Sequence, residues 1–323
     1  MTFRFMTSAA CALLMAVLPA QSLASDKAEL QSVRGARLVE MSAQPYIAFR
    51  QDVEIVSRAV PNSPEGLRDV HNRMASHDNK AVSSAFVAYA AMVAADTPAF
   101  SEEIQKRTGK KKDREAFLAE LEKNPAMIRD LPGAEAAIAA IMSVSASDAT
   151  RINKAGADYI KAAYSMQETA WARRKIAEHG MARVDEALAF AAKRSWPSMP
   201  GLAAKADRKG YVSPALASVP LWSASWSGEK APIGSDAQAG SLITKALILG
   251  ARYRLDEVEP AHLATYGNSR RSERCFSSAK MNLDQCIAAT RTPFEEAFCL
   301  GQHALNEMSS CVGWPAGVEA SAS

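Results

Sequence analysis

The sequence is poor in the residues and motifs that usually announce chemistry. Aromatic side chains make up 7% of its 323 residues, and there are five histidines. It contains no Cys-x-x-Cys-His, which excludes a covalently attached haem. It also has no His-Glu-x-x-His, Gly-x-Ser-x-Gly or glycine-rich phosphate loop. The Glu-Ser pair expected of a lysozyme-like transglycosylase is missing as well. Charge of one sign is not in excess: 38 Lys and Arg stand against 35 Asp and Glu, so nothing in the balance points to nucleic acid or an anionic surface. These absences lower the expectation of an enzyme without excluding one, because acid–base sites assemble from distant residues.

Long apolar runs are missing too, except at the N-terminus. Arg4 precedes a run from Met6 to Leu18 interrupted by Thr7 and Ser8, and Ser22-Leu23-Ala24 is a small-x-small cleavage site before Ser25. Residues 1–24 therefore read as a signal peptide, the run being shorter than the roughly 20 residues a membrane span needs. Cys11 lies inside the run with Ser8 where a lipobox wants an aliphatic residue, so this cysteine should leave with the signal. The other candidate for a stretch of membrane-spanning length, Leu242 to Leu255, is too short and carries Lys245, Arg252 and Arg254. The expected mature chain has no transmembrane segment, and losing Arg4 takes the formal charge from +3 to +2.

What is present is alanine, at helical spacing. Alanine-rich, aromatic-poor chains favour helices packed at close range. Residues 26–60 read as two helices broken at Gln44-Pro45. Ser63-Pro64, Thr97-Pro98 and Asn124-Pro125 each pair a capping residue with proline at a first helical position, dividing 63–145 into short helices. Val82, Phe86, Tyr89 and Val93 form one apolar stripe. Lys110-Lys111-Lys112, followed at once by acidic residues, reads as a solvated turn. The strongest helix is expected over Ser147 to Glu178, with one seam at Ile152, Gly156, Tyr159, Ala163, Met166 and Ala170 and a second at Ile160, Tyr164, Gln167 and Trp171. Two apolar faces predict a central position, core packing being favoured over a cofactor box. Residues 197–235 carry five prolines with Trp222 and Trp226, and cannot be one helix. Helical pattern resumes from Asp236, with Leu242, Ala246, Leu249 and Tyr253 on one stripe.

Four cysteines remain, almost symmetric about Pro293. Cys275 and Cys286 are eleven residues apart, three helical revolutions plus about 20°, and so share a face. Thr292-Pro293-Phe294-Glu295 is a capping box that starts a second helix. Cys299 and Cys311, twelve apart, are out of phase by about 120° on an ordinary helix. Antiparallel pairing selects Cys286–Cys299 and Cys275–Cys311 from the three possible connectivities, with the second bridge requiring the helix to adjust near its end. Zinc is disfavoured, since its cysteine pairs are usually closer and an exported chain meets an oxidising compartment. No metal or cofactor is expected.

The histidines offer one close group: His71 and His77-Asp78, with Asp69 nearby. A His…His-Asp phosphohydrolase site needs ligands from separate helices, and six residues place these two on different faces. A helix end carrying solvated polar residues is the favoured reading. His303, between the last two cysteines, reads as a packing or surface residue. The expectation is an all-α, multi-helix bundle over 25–195, a Trp/Pro/Gly-rich connection over 196–235, and a helical region over 236–323 ending in a disulfide-stapled hairpin. One continuous domain is the alternative division. The expected function is a non-catalytic binding or structural role in the cell envelope, periplasmic or secreted, with another envelope protein or a cell-wall component as partner. The alternatives are a periplasmic helical hydrolase, or a sugar-binding module using Trp222 and Trp226.

Overall fold

The computed structural model describes residues 35–58, 60–178, 180–194, 205–206, 212–213 and 239–318. The fold is all-α, and the one strand pairing described is the two-residue antiparallel match of Lys205–Ala206 with Val212–Ser213. Helix α1 spans Ala36–Ser57, α2 Pro64–Ala75, α3 Asn79–Asp96, α4 Pro98–Arg107 and α5 Lys111–Lys123. A 3₁₀ turn, Pro125–Asp130, leads to α6, Ala134–Met166, and α7 follows at Gly180–Lys193. The C-terminal region holds α8 (Gly240–Arg254), α9 (Pro260–Tyr266), α10 (Arg270–Ala289) and α11 (Pro293–Cys299). A π-helix, Leu300–Glu307, then runs into α12, Met308–Gly313. No described helix is long and apolar enough to cross a membrane.

Helix α3 is the hub. Thirteen of its residues are buried, and α1, α8 and α10 pack around it. The stripe Val82, Phe86, Tyr89 and Val93 is buried as expected, but so are Ala85, Ala88, Ala91 and Ala95 between them. A helix apolar on all sides belongs inside a bundle. Its alanines set the spacing: a Cβ placed on Gly250 of α8 would lie 2.7 Å from the Ala91 carbonyl oxygen of α3. The seam in α6 does the same against the π-helix, where a Cβ on Gly156 would lie 2.9 Å from the Gly301 carbonyl oxygen.

Three expectations are corrected. Helix α1 is not broken at Gln44-Pro45 but runs through Pro45. Met41, whose carbonyl loses its partner to the proline ring, and Pro45 itself are only half-buried. Tyr46, Ile47, Phe49 and Val53 beyond the proline are all buried, so packing outweighs the local cost of about 3 kcal/mol. Helix α6 begins thirteen residues before Ser147 and ends at Met166, giving way to turns rather than reaching Glu178. Its second seam is not core: Tyr164 and Gln167 are exposed, and Ile160 and Trp171 are half-buried. That face looks onto surface grooves.

Both predicted bridges are formed. Cys275–Cys311 and Cys286–Cys299 join the arms of the hairpin, with Cα–Cα separations of 5.5 and 5.7 Å. The capping box operates at the turn, where Glu295 accepts hydrogen bonds from the Arg291 and Thr292 amides at 2.6 and 2.9 Å. The π-helix answers the phase problem of the outer bridge. Its wider turn rotates less per residue than an α-helix. Removing about 120° over its eight residues takes about 15° from each, which brings Cys311 round to the face of Cys299. The adjustment lies in the middle of the second arm, not at its frayed end.

Candidate functional site

Three polar clusters lie in the interior, each built from residues far apart in sequence. In the first, Arg50 of α1 meets Asp148 of α6 at 3.0 Å. The Tyr46 hydroxyl donates to the other Asp148 oxygen at 2.7 Å, and Arg50 also donates to the Tyr89 hydroxyl. Burial pushes the Asp148 carboxyl up, against Arg50 and Tyr46, which pull it down. For Arg50 burial acts downward, but Asp148 and the two tyrosines outweigh it and the net direction is up. Both carboxylate oxygens are thus occupied by protein donors in a sealed site. A signal for this cluster was present in the sequence: Asp148 is four residues from both Val144 and Ile152, on the buried face of α6.

The second cluster gathers on Asp52 of α1. His77 Nε2 lies 2.6 Å from Asp52 Oδ2, Arg194 reaches the same oxygen at 2.6 Å, and Arg73 reaches Oδ1 at 3.2 Å. Burial works to raise Asp52, but the hydrogen bond and charge of His77 and the charge of Arg194 hold it below its ordinary value. Burial lowers His77 despite Asp52. Asp52 is thus the point on which His77, through Nε2, and both arginines converge. The expected solvated helix end is therefore corrected. Asp78 is the exposed N-cap of α3, accepting from the Ala81 amide at 2.7 Å, but Ser76 and His77 are buried. His77 turns inward because the Asp52 carboxylate, itself held by Arg73 and Arg194, receives it there.

The third cluster ties α7 to the hairpin turn. Arg183 donates to Glu296 at 2.8 Å, to the Thr290 hydroxyl at 2.6 Å, and to the Thr290 and Ile287 carbonyls at 3.2 and 3.3 Å. Burial raises the Glu296 carboxyl, with Arg183 opposing. His71 of α2 is fully buried, and neither ring nitrogen has a hydrogen-bond partner. Burial, then Lys280 and Arg183, lower its pKa to about 3. His71 lies four residues from Leu67 on the apolar face of α2, which marks it as a core histidine. His303 is half-buried against Glu307 at 2.8 Å. Among the described residues no group of three His, Cys, Asp or Glu side chains is placed to hold a metal ion.

The surface offers a different chemistry. A groove of about 380 Å³ opens between the end of α6 and the hairpin, walled by Tyr164, Phe294, Phe298 and the Cys286–Cys299 bridge. The Tyr164 and Phe298 rings meet edge to face, with centroids 6.3 Å apart. Tyr164 is 60% exposed, an unusual place for an aromatic ring on a helix that is otherwise so well packed. A second hollow, about 590 Å³, adjoins it and is bordered by Lys175 and Arg291; Ala289 and Thr290 line both. The other site weighed from the sequence rests on Trp222 and Trp226, which lie outside the described residues.

No protein-family model matches the chain, and neither a curated protein nor a solved structure matches it significantly. The two disulfides fit a non-cytoplasmic setting.

Proposed function

We propose that this chain is an exported, non-catalytic protein of the cell envelope, periplasmic or secreted, that binds a partner through the surface around its stapled hairpin. The observation that carries this reading is a division of labour between interior and surface. The acids and histidine that are gathered into clusters, Asp52, His77, Asp148 and Glu296, are spent inside as ion pairs and hydrogen bonds. A general acid or base must come within hydrogen-bond reach of a substrate atom, which a sealed side chain cannot do. The groove beside the hairpin instead bares aromatic rings and a disulfide, groups suited to holding a ligand. The signal-like segment and the disulfides support export.

The test is turnover. Purified mature protein incubated with peptidoglycan or phospholipid is expected to release no product above background. Product formation that disappears in an Asp52→Asn or His77→Gln variant that still folds would overturn the reading.

A further inference from the structure

The groove beside the hairpin is flanked by a concentration of positive charge that the balanced composition hides. Arg173, Arg174 and Lys175 follow the end of α6, and Arg291 sits in the hairpin turn. All four are exposed, and none is in a salt bridge, whereas nearby Arg68 is held by Glu178 at 3.2 Å and Glu186 at 3.5 Å. The backbone holds these cations in one place. The Ile176 amide donates to the Arg291 carbonyl at 2.9 Å, and the Phe294 amide to the Ala172 carbonyl at 3.4 Å, so the basic turn lies along the hairpin turn. The carboxylates close by are largely committed. Glu178 pairs with Arg68 and Glu295 caps the hairpin helix, leaving Glu168 as the one exposed acid at the end of α6 without a partner.

We infer that this surface binds a single-chain anionic amphiphile, such as a fatty-acid carboxylate or an alkyl phosphate. Its chain lies between Tyr164, Phe294 and Phe298, and its headgroup lies on Lys175 and Arg291, with Arg173 and Arg174 adding positive charge from the same turn. The inference rests on the binding reading above and names the ligand chemistry of the same groove. Two contiguous features carry it: an aromatic concavity for an apolar chain, and next to it a hollow bordered by the exposed cations Lys175 and Arg291, whose lining carboxylate Glu178 is paired with Arg68. The shape selects a monomer over a bilayer. A membrane-docking surface projects its apolar side chains outward. Here they line a hollow of about 380 Å³, within the range of small-molecule sites.

The experiment titrates the mature protein calorimetrically with dodecyl phosphate below its micelle concentration, alongside inorganic phosphate and dodecyl maltoside. Dodecyl phosphate should bind at least tenfold more tightly than either, since each of them offers one half of the recognition. Arg174→Glu/Lys175→Glu and, separately, Tyr164→Ser should each weaken it by about tenfold or more with melting temperature unchanged, because all three side chains are exposed. Equal binding of dodecyl maltoside, or parent-like binding by both variants, would overturn the inference and leave the non-catalytic reading, which turnover decides, standing. Association with phosphatidylglycerol vesicles without binding of the soluble amphiphile would also overturn it, assigning the cations to a membrane surface.

Discussion

At the centre of the bundle, Arg50 and Asp148 are 98 residues apart in sequence and are held together by charge and hydrogen bonds alone. In the hairpin, Cys275 and Cys311 are 36 apart and joined by a covalent bond. The first contact acts in the folded state: it exists only where α1, α3 and α6 exclude water, and there each partner makes the other tolerable. The second acts chiefly on the unfolded chain, whose freedom it restricts whether or not the helices are packed. A buried ion pair thus makes the bundle sensitive to the loss of either partner, while the staples restrain a hairpin whose apolar residues belong to the same core.

The sharpest way to break this comparison is Asp148→Ala, which strands Arg50 in an interior where it is fully buried. The expected loss is about 3–5 kcal/mol in urea unfolding. A smaller penalty than that of removing either bridge would place the stability of the molecule in its staples instead. Next come the bridges. Cys275→Ser/Cys311→Ser should cost about 4 kcal/mol and Cys286→Ser/Cys299→Ser about 3 kcal/mol, following loop lengths of 36 and 13. The reverse order would mean that local packing rather than chain restriction sets their value. Mass mapping of a non-reduced digest checks both linkages directly.

The effect that is smallest at neutral pH grows with acidification and falls where the two regions meet. His71 has its pKa lowered to about 3 from an ordinary 6.5. The unfolded chain therefore binds a proton that the native chain refuses. Stability is complete above about pH 6.5 and falls with acidification toward pH 3, by at most about 1.4 kcal/mol per pH unit from this group. His77, also lowered by burial, acts in the same direction. His71→Leu should flatten the slope of urea midpoints between pH 6.5 and 4 while leaving the protein no less stable at pH 7. Parallel slopes for variant and parent would show that acid sensitivity arises elsewhere.

Local order was legible and long-range polarity was not. The hairpin could be read because every part of it is local: a capping box, a proline and cysteines at countable spacings. The helix starts at Ser63-Pro64 and Thr97-Pro98 could be read for the same reason. The π-helix was visible only as its symptom, the misfit of twelve residues between Cys299 and Cys311. Pro45 misled because its cost is local, whereas the compensating burial comes from far along the chain, Tyr46 packing on Phe86 and Tyr89 of α3 and Phe49 on His77. Tyr164 and Gln167 misled in the opposite sense: a helical period says which residues share a face, not whether anything covers it. The clusters on Asp52 and Asp148 join residues up to 142 positions apart, which no window along the chain contains. The groove and its cations are brought together by the same kind of long-range closure.

The start of α1 carries a consequence for the order of events in time. Its first amide is capped by the Asp256 carboxylate at 2.7 Å, across 220 residues, and the Gly35 amide donates to the Val258 carbonyl at 2.7 Å. Chains are made, and pass through any pore, from the N-terminal end. The first described helix therefore waits for residues some 220 positions further on before its own beginning is finished. A nascent molecule carries that helix with a loose end, and only the arrival of the segment after α8 completes it.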